Sequence, residues 1–339
     1  VGSEMCIRDR LEPGRELTVI CGNNGQGKTN LLEAIWLLTG GKSFRGGKDA
    51  ELVRRGEPFA VLEASTLRAQ QEEQEPDEPN RVRLTVGTPD SQRPGRYASV
   101  NGAAPRRAAG LAGSFPAVVF DPGHLSLVKG SPEGRRRFLD AALCQLYPGY
   151  VTLLRRYSRL VTQKNALLKS YWQTPDANGL LDVFDEKLAE SGAAVSAKRQ
   201  EYLALIEPEI TGTYRDIASG SETLAIQYEP SFEPEKGLAP VLRESRARDI
   251  AAGFCTAGPH REDFSISIDG RAAKVFASQG QQRSAVLSLK LAEAAGAQKI
   301  TGEHPVMLLD DVLSELDETR QSYLLSRMEH RQTLSLIHI

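Results

Sequence analysis

Gly22, Asn23, Asn24, Gly25, Gln26, Gly27, Lys28 and Thr29 follow the spacing G-x-x-x-x-G-K-[ST]. That spacing suits a nucleoside triphosphate. Glycines let backbone N–H groups turn inward onto phosphate oxygens, and a helix starting at the lysine presents its positive end to them. The Lys28 ammonium can then reach the β- and γ-phosphates, and the Thr29 hydroxyl can ligate Mg2+. With Asn30 at the start of the helix, these residues are read as an ATP site.

A second run, Pro305-Val-Met-Leu-Leu-Asp310-Asp311, is an apolar strand ending in two carboxylates. Asp310 is expected to hold the Mg2+ shell. Asp311 is expected to orient the attacking water, which makes Asp311 and Lys28 the catalytic candidates. A third run, Phe276-Ala-Ser278-Gln279-Gly280-Gln281-Gln282-Arg283, precedes a long helix that reads as amphipathic. It resembles the ABC signature. Ser278 would cap the helix and bond the γ-phosphate, and Gly280 would let the backbone come close. Gln279 and Gln281 complete that contact. In the ABC superfamily this segment faces the phosphate loop of a second subunit. Ser314-Glu-Leu-Asp317 then matches the D-loop, which couples two such sites.

The elements that must position these groups are legible in outline. Glu16–Cys21 reads as a buried strand and Asn30–Leu38 as a helix, so the glycine loop joins strand to helix. Gln70–Pro79 is acidic and proline-containing, the texture of a surface loop between strands. Arg81–Val86 and Arg96–Val100 read as strands, with Asn101-Gly102 as a hairpin turn. Ala117–Phe120 reads as a short buried strand. From Gly134 apolar residues recur at helical spacing, break at Thr174–Gly179, and resume from Val183: a helical hairpin between two α/β portions. Ser221–Asp249 combines a strand with Pro- and Glu-rich linker. The expected fold class is α/β, an ABC-type P-loop ATPase head with an inserted helical lobe. Residues 1–130 form one lobe, 131–299 the helical lobe with the signature, and 300–339 return to the first.

Composition narrows the classes. The 339 residues are 40% hydrophobic and 25% charged, with net charge −2. Any nucleic-acid site must therefore be a local patch. Cys6, Cys21, Cys144 and Cys255 form no C-x-x-C pair and read as free thiols. No apolar run reaches a membrane span, and no secretion signal is visible, so a cytoplasmic location is expected.

The chain is similar to the RecF family of bacterial recombination-repair ATPases. The resemblance rests on Gly25–Ile35, Lys42-Ser43-Phe44-Arg45, Val100-Asn101-Gly102, Val128–Pro132, Arg136–Asp140, Gln163–Leu168, Gly258–Asp263, Ser278–Arg283 and Leu309–Asp317. It implies a weak ATPase that dimerises around ATP and grips double-stranded and gapped DNA. Together with RecO and RecR it helps RecA load, and ATP acts as a switch. Val1–Arg10 and Leu334–Ile339 depart from the family pattern and read as foreign sequence joined to a fragment lacking the last tenth of the family's length. His338 is accordingly not taken as a switch histidine. Lys42, Arg45 and Lys48 are candidate DNA contacts. So are Arg135, Arg136 and Arg137, for which a solvated face or internal pairing are the alternatives. His124 reads as packing, and His260 as either structural or coupling. A transporter ATPase would carry its loop and signature much closer together than Lys28 and Ser278 are here. An SMC-like architectural ATPase would need far longer coiled coils, and a non-enzymatic binding module would not need every hydrolysis motif.

Overall fold

The computed structural model describes residues 10–23, 25–67, 79–104 and 106–338. The acidic segment of residues 70–78, Val1–Asp9 and Ile339 lie outside them. In chain order, β1 (Leu17–Gly22) leads into α1 (Lys28–Leu37). Then come β2 (Phe59–Thr66), β3 (Asn80–Gly87), β4 (Gly95–Val100), β5 (Arg106–Arg107) and β6 (Ala117–Phe120). Four helices follow, α2 (Ser126–Lys129), α3 (Pro132–Leu146), α4 (Tyr150–Lys169) and α5 (Ala177–Ile217). The chain continues through β7 (Leu224–Glu229), α6 (Leu238–Ala252), β8 (Asp263–Ile268), β9 (Arg271–Ala272), α7 (Ala273–Phe276) and α8 (Gln279–Thr301). It finishes with β10 (Val306–Asp310), α9 (Glu318–Met328) and β11 (Thr333–His338).

One sheet has the order β1-β11-β10-β6, with every neighbour parallel. All four strands therefore end on one edge, and the loop after β1 and Asp310 at the end of β10 share it. β6 is buried throughout and β10 nearly so, as the interior of a sheet covered on both faces demands. The expectation of a buried first strand is corrected. Among the described residues β1 pairs with β11 alone, so it lies at the edge of the described sheet, and Leu17 and Val19 are 48% and 43% exposed. The end of the chain also differs from expectation. Residues 334–338 belong to a central strand, and Leu334 and Leu336 are buried in the core with Leu32 and Leu308.

The second sheet, β2-β3-β4-β5, is antiparallel. Its turn signal is met: Asn101 and Gly102 both have positive φ, and Ala103 N–H donates to the Val100 carbonyl at 3.0 Å. The third, β7-β8-β9, caps the helical region.

The helical hairpin is α4 and α5, but its break falls earlier than Thr174–Gly179. Asp176 caps α5 by accepting from Gly179 N–H, so Ala177-Asn-Gly is its first turn rather than loop. The linker reading of Ser221–Asp249 misses α6. The amphipathic reading of α8 also fails. Leu287, Leu291 and Ala294 meet Phe120 and Leu309 on one side, while Ala285, Leu289 and Ala292 enter the helical core on another. At Gly296 a Cβ would lie 2.6 Å from Ile206 Cγ2, so glycine sets how closely α5 and α8 approach.

Buried charges knit the helices. Lys164 Nζ lies 2.8 Å from Asp185 and 3.0 Å from Asp249, joining α4, α5 and α6 with no exposure. Asn165 accepts from Cys255 N–H at 2.7 Å. Arg199 chelates Asp140 at 2.8 Å through two nitrogens and reaches the Pro259 carbonyl. Glu262 accepts from Ser196, Tyr228 and Ser231. His260 bonds Tyr157 Oη and the Cys255 carbonyl, and burial lowers its pKa. These contacts give the Gln163–Leu168 and Gly258–Asp263 runs an architectural role. Cys21, Cys144 and Cys255 are free thiols. Among the described residues no helix is long and apolar enough to cross a membrane.

Candidate nucleotide site

β1 delivers its glycine loop at the carboxyl edge of the parallel sheet, where such folds bind ligands. Gly25 and Gly27 adopt φ of +81° and +83°, values that side-chain-bearing residues avoid. Their left-handed turns reverse the chain so that α1 starts at Lys28, its N-terminus facing the loop. Lys28 is buried, and its ammonium donates to the Gly22 and Asn23 carbonyls at 2.5 and 2.9 Å. The cation is thereby stored inside the loop, within reach of any phosphate that enters it. Asn24 lies outside the described residues.

Thr29 and Asp310 meet across the sheet. The Thr29 hydroxyl donates to Asp310 Oδ1 at 3.2 Å. Residues far apart in sequence thus place a hydroxyl and a carboxylate on one point beside the loop. That donor set fits Mg2+, which takes one or two protein oxygens and fills its remaining positions with water and phosphate. Asp311 follows with φ +52° and supplies its carbonyl to Ser314 Oγ at 2.8 Å. Its backbone turns sharply out of β10 and points the chain toward Asp317.

The segment expected to act as a signature, Ser278–Gln281, lies at the start of α8. Ser278 is the N-cap: its hydroxyl accepts from Gln281 N–H at 3.2 Å, and the Gln281 side chain accepts from Ser278 N–H at 2.8 Å. Gln281 also donates to Glu222 at 2.9 Å. Ser278 and Gln279 face solvent, as do Val275 and Phe276 just before them, at 68% and 66% exposure.

Two arginines with no assigned role tie this segment to the D-loop. Arg283 pairs with Glu315 at 2.7 Å. Arg320 donates to Ser284 Oγ at 2.8 Å and pairs with Asp317, and a Cβ on Gly280 would lie 3.2 Å from it. The Arg320 N–H, caught by the Asp317 carboxylate as it caps α9, holds that carboxyl below its ordinary pKa. Glu315 and Asp317 lie inside a recognisable motif, but their partners, Arg283 on α8 and Arg320 on α9, carry no spacing signal.

The basic candidates separate. Arg135 is 5% exposed, chelated by Asp263 at 2.7 Å and bonded to the Leu127 and Gly130 carbonyls. It is withdrawn as a DNA contact, because the start of α3 packs against β8. Arg136 is half-buried and donates to the Glu262 carbonyl at 2.7 Å, and burial lowers its pKa. Arg137 is exposed and pairs with Glu133 on its own helix. Lys42 and Lys48 are exposed, and Arg45 reaches over α1 to Asn30 at 2.7 Å. His124 accepts the Asp121 N–H at 3.0 Å, and burial beside Lys290 lowers its pKa well below the usual value.

Residues 8–338 match the model of the RecF/RecN/SMC N terminal domain family. The chain is 40% identical to the DNA replication and repair protein RecF of Heliobacterium modesticaldum, over 93% of this chain and 84% of that one. It is 39% identical to the protein of that name from a Synechococcus strain, over 94% and 84%. Among solved structures it resembles the recombination mediator protein RecF of the RecFOR pathway, solved as RecF-ATPrS. That match has a TM-score of 0.88 and 34% identity, covering 98% of this chain and 89% of the other. The RecF-ATP structure gives 0.86 and 33%, over 98% and 88%.

Proposed function

The chain belongs to the RecF family, and from that premise we propose that it is an ATP-gated DNA-binding protein of recombinational and replication-gap repair. ATP enters the loop of Gly22–Thr29. Lys28 exchanges its two carbonyl contacts for the β- and γ-phosphates, and the α1 N-terminus faces their negative charge. Thr29 and Asp310 would hold Mg2+, which would supply positive charge beside the phosphates. Asp311 orients the water for slow hydrolysis. The contact between Thr29 and Asp310 carries this reading, because it joins the two nucleotide motifs at one point.

Ser278, Gln279, Gly280 and Gln281 act on the nucleotide of a second copy of the chain. The exposure of Ser278, Gln279, Val275 and Phe276 leaves this surface open to a partner. Asp317 lies beside that surface, linked to it through Arg320. The closed dimer grips double-stranded or gapped DNA and works with RecO and RecR to load RecA, so that ATP sets a state more than it supplies work.

Size measurement by light scattering tests this. The parent chain should shift from monomer to dimer with ATP and Mg2+. Ser278→Arg places bulk and positive charge at the surface, so it should stay monomeric while still binding ATP in calorimetry. ATP-dependent dimers of Ser278→Arg at the parent's level would remove the in-trans role.

A further inference from the structure

The exposed side of α4 takes no part in the nucleotide site, yet its chemistry is one-sided. From Tyr150 to Lys169 it carries Arg155, Arg156, Arg159, Lys164 and Lys169, and neither Asp nor Glu. Lys164 is consumed by the buried knot, and Glu190 holds Arg156 at 3.0 Å. Arg155, Arg159 and Lys169 are exposed and make no hydrogen bond or ion pair among the described residues. An ordinary solvated helix mixes signs, as α5 does with Asp182, Glu186, Lys187, Glu190, Lys198 and Glu201.

Helical geometry aligns the three cations. At about 100° and 1.5 Å per residue they fall within a sector about 80° wide and about 21 Å long. Ser158, Thr162 and Gln163 lie exposed among them and add neutral hydrogen-bond donors. Tyr157, the aromatic residue between Arg155 and Lys169, is buried, so no base can stack within the stripe itself, and exposed Trp172 lies beyond its end.

We propose that the outer face of α4 is a track for the phosphate backbone of duplex DNA, contacted by Arg155, Arg159 and Lys169. The proposal rests on the reading of the chain as a DNA-binding ATPase and names the surface that reading needs. In a protein of net charge −2, an acid-free stripe of unpaired cations is the local patch that attracts a polyanion. Phosphate contacts carry no base information, so the track is blind to sequence.

The test uses the full chain with ATP and Mg2+, a fluorescent 30-base-pair duplex, a second duplex of unrelated sequence and a single strand, over a salt series. Arg155→Ala/Arg159→Ala should weaken binding to both duplexes equally, by about ten-fold at low salt. The slope of log affinity against log salt should become shallower by about 1.8, at about 0.9 per lost phosphate contact. ATP binding and melting temperature should stay at parent values, since both sites are exposed and alanine favours helix. Lys169→Ala, a milder variant, should flatten the slope by about 0.9. If the parent binds duplex and the variants keep its slope and affinity, the track is refuted and the DNA-binding reading survives. Loss confined to one sequence, or to the single strand, also refutes it. A parent that binds no DNA with ATP removes both readings.

Discussion

Asp311 shows what one residue can decide. Its φ of +52° is in the left-handed region, which costs a residue with a side chain about 1–2 kcal/mol. Aspartate and asparagine tolerate that region best, because their short side chains hydrogen-bond locally. Asp311→Asn therefore keeps the backbone turn and removes only the charge. ATP hydrolysis should fall by about 100-fold or more, the usual contribution of a positioned base. ATP binding should persist, so the dimer should accumulate in light scattering. Turnover at the parent rate would make Asp311 structural. Asp310, one residue earlier, differs because it ends the strand and meets Thr29 directly.

At the scale of elements, α4, α5 and α6 hang on a single cation. Lys164 sits with no exposure between Asp185 and Asp249, and Arg246 takes Asp185 from the other side at 2.8 Å. Lys164→Met fills similar volume but leaves buried Asp249 without its counter-charge, while Asp185 keeps Arg246. Removing one partner of a buried pair costs about 3–5 kcal/mol. The urea midpoint of Lys164→Met should fall accordingly, with the ammonium's loss felt across all three helices. An unchanged midpoint would show that Asp249 finds other partners and that the knot is dispensable.

For the whole molecule, the parallel sheet interleaves the two ends of the chain. Among the described residues β1 pairs only with β11, and β6 only with β10. A chain ending at Ile300 would keep the glycine loop intact in sequence and lose both partner strands. β1 and β6 would then stand apart with unpaired backbone groups, and Thr29 would lose Asp310. Calorimetry should find no ATP binding by that chain, and a dye for exposed apolar surface should bind it strongly. Native-like ATP affinity would show that the glycine loop and α1 fold without the last two strands.

Local chemistry made much of this legible in the sequence. A glycine loop between a strand and a helix, two aspartates closing an apolar run, and Asn-Gly after a strand each specify backbone that few other residues adopt. The helical hairpin was legible for the same reason, since its spacing repeats over many turns. What the sequence could not fix were questions of which face is covered. Arg135, Arg136 and Arg137 are one run in the sequence, yet the packing of α3 against β8 buries the first, half-buries the second and leaves the third in water. α8 reads as amphipathic because its serines and charged residues alternate with leucines, but the core closes on it from two sides and pairs Lys290 with Glu293 inside. Arg283 meets Glu315, and Arg320 meets Ser284, only because α8 and α9 lie side by side. Burial and long-range pairing depend on where the rest of the chain goes, and tertiary structure alone decides that.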